Sequence, residues 1–264
     1  MTGLEFSVLG WIVLGVAALA VGIAKTSIGG LGALAVAGFA VFIPARESTA
    51  AVLLVLIIGD LVAVALYRRS ADWAMLRRLL PAVLPGIGAG ALIMAFIDDR
   101  TMTLLIAACI LVALAIQIVM RRRQAHVPAQ APHPEAAPLL GTTPNLGATL
   151  GTGFAAGFTT MVANAAGPVM ALYLLAVRAD KMRFVGTMAW YFLIVNVAKV
   201  PFSIGLGLMT TTTLWLTLAL APAVLVGTWM GRTFLRRLPQ HRFETLTLGA
   251  SLLAGVVLMV RGLI

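Results

Sequence analysis

Four polar residues, Lys25, Asp60, Asn196 and Lys199, stand in or beside long apolar runs. An ionisable group in such a setting is costly and usually functional or paired. Lys25 opens a polar turn, Lys25-Thr26-Ser27-Ile28-Gly29-Gly30. It is the candidate cation for an anionic ligand; the competing account is a lysine that bends its ammonium to the membrane interface. Asp60 is the only acid well inside a spanning run, about 12 Å along a helix from Arg68. Either it carries a coupling proton, or it forms a structural ion pair with Lys25 or Lys199. Lys199 precedes Pro201, where a kink opens a helix. Snorkelling to the outer surface is the simpler account of Lys199, and Asn196 either joins ion coupling or bonds a neighbouring helix.

A second polar turn runs from Thr159 to Pro168 and holds Thr160, Asn164 and Gly167. Ser27 is placed to cap a helix starting near Gly29, and Asn164 one starting near Ala165. Helix N-termini carry free N–H groups and partial positive charge, and so bind anions. Thr26, Ser27, Gly29, Gly30, Thr159, Thr160, Asn164 and Gly167 are therefore candidate substrate ligands. The same atoms also serve plain capping and packing.

The elements that must hold these residues are membrane helices. Of 264 residues, 61% are hydrophobic and 11% charged, with a mean hydropathy of +1.03. Soluble domains are nearer a quarter charged. The net charge of +10 does not point to nucleic acid, because the arginines cluster in short loops between apolar runs. The one cysteine, Cys109, excludes a disulfide within the chain, and His126, His133 and His241 fall in loop or linker. No cofactor pattern and no hydrolase, zinc-protease or phosphate-loop motif is present, so enzymatic function is not expected. The stretch before Ser7 lacks the basic start of a secretory signal, and the first apolar run is expected to be a retained helix.

Ten apolar segments are expected, roughly Ser7 to Ala24, Leu31 to Ile43, Ser48 to Tyr67, Leu79 to Ile97, Thr101 to Met120, Leu146 to Val162, Gly167 to Val177, Phe184 to Ser203, Thr213 to Leu235 and Phe243 to Gly262. A span needs about 20 residues, so the second and seventh are too short to cross. The rival reading has eight spans with the short pieces re-entrant. Residues 121–144 open with Arg121, Arg122 and Arg123 and continue through Pro128, Pro132, Pro134, Pro138 and Pro144, as a flexible linker does. It separates membrane units at 1–120 and 145–264.

The two units resemble each other. Gly22 and Gly32 match Gly157 and Gly167 at one offset, and Arg46 matches Lys181 at the same offset. Pro81, Gly86 and Gly90 match Pro222, Gly227 and Gly231 at an offset six longer, attributed to a longer loop around Leu206 to Thr212. Alternating the segments puts Arg68, Arg69, Arg77, Arg78, Arg121, Arg122, Arg123, Arg178, Lys181, Arg183, Arg232, Arg236, Arg237 and Arg242 on one side, and Arg46, Arg100 and Arg261 on the other. The basic side is cytoplasmic, the linker with it, and both termini lie outside. Five segments per half is odd, so the halves are expected to be inverted, with the polar turns meeting within the membrane.

On the glycine-rich stretch Gly22-Ile23-Ala24-Lys25-Thr26-Ser27-Ile28-Gly29-Gly30-Leu31-Gly32, its counterpart from Gly157 to Pro168, and the following Lys181 and Gly186-Thr187, the chain resembles the TauE/SafE family of sulfite exporters and related permeases. The second half departs from the glycine pattern at Asn164-Ala165-Ala166. The resemblance implies an all-α, multi-pass protein of the cell (plasma or inner) membrane. It implies secondary transport of sulfite, an organosulfonate or a related small anion. The lipid bilayer and a proton or other coupling ion would be its partners. An anion channel and a non-transporting scaffold are the alternatives.

Overall fold

The computed structural model describes residues 7–26, 38–125, 146–167, 169–170, 173, 181–233, 249, 252–253, 255–260 and 262–263. Among them there is no strand. The long helices are α1 (Val8–Thr26), α2 (Ala45–Tyr67), α3 (Trp73–Phe96), α4 (Asp99–Ala125), α5 (Leu146–Ala163), α6 (Lys181–Gly205) and α7 (Thr211–Thr233). All seven contain stretches long and apolar enough to cross a membrane. A 3-10 turn at Arg68–Ser70 leads toward α3, whose first turn is capped by Asp72: its carboxylate accepts from the Met75 N–H at 3.0 Å.

The distribution of side chains suits lipid rather than water. Phe96, Leu92, Trp215 and Trp229 are exposed, while Ala18, Ala50 and Ala51 are fully buried. Large apolar groups thus cover the outside, and small ones let backbones approach. Pro81 and Pro85 lie inside α3, Pro201 inside α6 and Pro222 inside α7. Such prolines are tolerated in membrane helices because neighbours and polar side chains re-satisfy the freed carbonyls.

Two close backbone contacts organise the bundle. α1 lies along α7, and a Cβ on Gly22 would stand 2.1 Å from the Val224 carbonyl oxygen. One on Gly227 would stand 2.2 Å from that of Leu19. α3 lies along α5 in the same manner, with Gly86 against Phe154 and Gly157 against Val83, each at 2.2 Å. Only glycine fits at these four points. Contacts advance together along each pair, from Leu19 with Gly227 to Ile23 with Gly231, and from Val83 with Gly157 to Gly90 with Met161. Each pair therefore runs side by side in one direction.

α2 crosses α6 in the opposite sense: Asp60 meets Asn196, Val64 packs near Ala189, and Ser70 abuts Gly186. Near the end of the chain, Gly255 lies against Leu111, Gly262 lies against Leu104, and the Arg100 guanidinium donates to the Gly262 and Leu263 carbonyls at 2.8 and 2.6 Å.

Some boundaries differ from those read in the sequence. α1 continues through Lys25 and Thr26, which are its last residues rather than part of a turn beyond it. α4 runs past Met120 to Ala125, since arginine is a good helix former. The six-residue shift in the repeat offset is not in a loop. The α2–α3 connection (68–72) and the α6–α7 connection (206–210) are equally long, the latter closed by Gly207 at φ +69°. The stretch 126–145, covering most of the expected linker, and most of the two short segments lie outside the described residues.

Candidate functional site

The interior holds a chain of polar side chains contributed by α1, α2, α5 and α6. Lys25, one residue from the end of α1, places Nζ 2.6 Å from Asp60 Oδ1. Its ammonium also lies 4.3 Å from the centroid of the Phe192 ring, a cation–π distance. The other carboxylate oxygen of Asp60 accepts from Asn196 Nδ2 at 2.6 Å. Lys199, three residues on from Asn196, donates to Asn196 Oδ1 and to Thr160 Oγ1, each at 3.5 Å, and makes a short bond to Asn164 Oδ1. Asn164 Nδ2 in turn donates to the Thr49 carbonyl of α2 at 3.2 Å.

These groups are inside the protein. Asp60 is 0% exposed, and Asn196 and Lys199 are 1% exposed. α6 supplies the axis of the site. Phe192, Asn196 and Lys199 fall four and three residues apart, on one helical face. α6 opposes α2, and α7 opposes α6 across the tight turn at Gly207. α1 follows the direction of α7. Lys25 and Lys199 are therefore delivered from opposite ends of the bundle, and a single carboxylate lies between them.

Asn164 is a special position. Its φ of 51° is in the left-handed region, where α5 stops. The following residues, 165 and 166, are not helical. The break turns the Asn164 amide across to α2 and α6, where it bonds Thr49 and Lys199.

The structure thus brings together Lys25, Asp60, Asn196, Lys199, Thr160 and Asn164. Other candidates are engaged elsewhere. The Thr26 hydroxyl bonds the Gly22 and Thr228 carbonyls at 3.2 and 3.0 Å and pins α1 to α7. The Thr159 hydroxyl bonds the Ala155 carbonyl one turn back at 2.7 Å. A Cβ at Gly167 would meet open space. Ser27, Gly29 and Gly30 lie outside the described residues. Phe192 and Thr49 belong to the site but escaped the sequence reading. An aromatic in an apolar run and a threonine near a helix start are too common to signal a role.

Seven helices long and apolar enough to cross a membrane, with Lys199 and Asp60 buried among them beside the point where α5 stops, make the class that of a multi-pass membrane protein with a transporter-like polar centre. A family model described as "Sulfite exporter TauE/SafE" matches residues 14–258, and the chain belongs to that family. Comparison with curated proteins and with solved structures finds no match.

Proposed function

We propose that the protein is a secondary transporter of a small anion, with sulfite, an organosulfonate or a related sulfur-containing or organic anion as substrate. The carrying observation is the charge of the buried centre. Two lysines face one carboxylate, leaving a formal charge of +1 among Lys25, Asp60 and Lys199. An uncompensated charge in the membrane interior is costly, and an arriving anion offsets that cost.

In this reading Lys25 and Lys199 hold the anion in turn as the site opens to either side. Asn164, Thr160 and Asn196 orient it, and Asp60 exchanges a proton or releases Lys25 to the substrate. Ser27, Gly29, Gly30 and Gly167 are further candidate ligands for the anion. The two halves are inverted repeats that rock against each other. Support comes from the glycines: Gly22 and Gly227 at the α1–α7 contact take the places of Gly157 and Gly86 at the α5–α3 contact when the first half is laid on the second. Helix directions agree, since α2 opposes its counterpart α6. The basic loops and the 121–144 linker face the cytoplasm of a plasma or inner membrane.

The test is flux in sealed liposomes holding the purified protein. Sulfite uptake that is saturable, shows counterflow and needs no ATP is the expected result, together with sulfite-induced thermal stabilisation that Lys25→Ala abolishes. Large unitary currents would move the reading to a channel. Absence of both flux and stabilisation across a panel of sulfur anions would overturn it.

A further inference from the structure

The aromatic beside the Lys25 platform presents a second unexplained group. Tyr191 is fully buried, yet its hydroxyl has no hydrogen-bond partner among the described residues. A hydroxyl taken out of water without a partner costs on the order of 1–3 kcal/mol, and apolar phenylalanine would fill the same space without that cost. Tyr191 packs edge-on against Phe192 at 5.3 Å between ring centroids, and the Lys25 ammonium lies over that same Phe192 ring. Along α6, Tyr191, Val195 and Lys199 recur every four residues, all 1% exposed or less. They form one buried stripe that begins beside the Lys25 contact and ends at Lys199.

We propose that the Tyr191 hydroxyl is an anion-binding group that donates to a substrate oxygen as the anion passes between Lys25 and Lys199. This rests on the anion-transport reading. The chemistry fits an oxyanion: a neutral O–H donor adds a directed bond to an anion without adding charge to a centre that already carries a positive excess. A bond from a neutral donor to a charged acceptor is worth more than one between neutral groups, so its loss should be visible in affinity.

The experiment is Tyr191→Phe, compared with the parent protein in two measurements. In the absence of anion, the variant should melt at the same temperature or higher, because no internal bond is lost. With sulfite as the probe, its apparent affinity, read from thermal stabilisation and from half-saturation of liposome uptake, should fall about tenfold or more. A lower melting temperature without anion would mean that the hydroxyl is bonded within the resting fold, and would overturn the inference. So would unchanged sulfite affinity. If the parent itself shows no response to sulfite or the other sulfur anions, the transport reading fails and this inference fails with it. A response in the parent that Tyr191→Phe leaves intact removes only the role given to Tyr191.

Discussion

Replacing Asp60 by asparagine keeps the shape of the side chain and removes the one negative charge of the polar centre. Lys25 Nζ then loses a partner at 2.6 Å, and two ammonium groups are left near each other without a counter-charge. Breaking a buried pair by removing one member typically costs about 3–5 kcal/mol, mostly through the orphaned charge. Lys25→Met should be destabilising for the converse reason, since it strands the Asp60 carboxylate near Asn196 and Lys199. Because the cost lies in the unpaired partner, combining the two substitutions should restore much of the loss. The expected coupling is about 2–3 kcal/mol in favour of the double variant. The assay is unfolding of the four proteins in one detergent, without added anion. The expected order of stability is parent, double variant, then the two single variants. Sulfite should partly rescue Asp60→Asn, because an anion can take the place of the lost carboxylate charge. If the double variant is as unstable as the sum of the singles, the ion pair is not what holds this centre, and the charge argument fails.

Alanine at Gly22, Gly86, Gly157 or Gly227 puts a Cβ within 2.2 Å of a backbone oxygen and should cost about 1–3 kcal/mol. Alanine at Gly15, Gly88 or Gly151 meets nothing within 4 Å and should leave melting unchanged. Equal effects in the two sets, compared by thermal unfolding, would refute the close-contact account. Asn164→Gly should retain the left-handed backbone better than Asn164→Ala by about 1 kcal/mol. Both should lose sulfite stabilisation, because the Lys199 ammonium loses Asn164 Oδ1; a fully active Asn164→Gly protein would show that the amide is dispensable.

Much of the architecture was legible because composition and hydropathy act locally. Apolar runs long enough to span were visible one by one, and six of the twelve named candidate residues meet in the polar centre. The pairing was not visible. Asp60 and Asn196 are 136 residues apart in the chain, and no spacing rule connects them. Sequence left Asp60 with either lysine; the fold gives it to Lys25. Lys199 was more simply read as snorkelling, since a lysine near a helix end looks alike whether it faces lipid or protein. Its 1% exposure reflects which face of α6 packs inward, a property of neighbours rather than of the run itself. The matched glycines were visible as a pattern, but not as contacts. That Gly22 meets Gly227, Gly86 meets Phe154 and Gly157 meets Val83 depends on α1 lying along α7 and α3 along α5.

Those pairings also set an order of assembly. α1 finds its partner only when α7 has been made, roughly 200 residues later, and synthesis at about 5–20 residues per second makes that wait roughly 10–40 s. Until then the glycine face of α1 has only lipid or the insertion machinery against it. Neither half contains its own partner for these faces, so an early-terminated chain ends with its closest joint unmade. The centre that needs α1, α2, α5 and α6 together is likewise absent from any product that stops before α6. A nascent chain therefore carries an incomplete polar centre until α6 has been made.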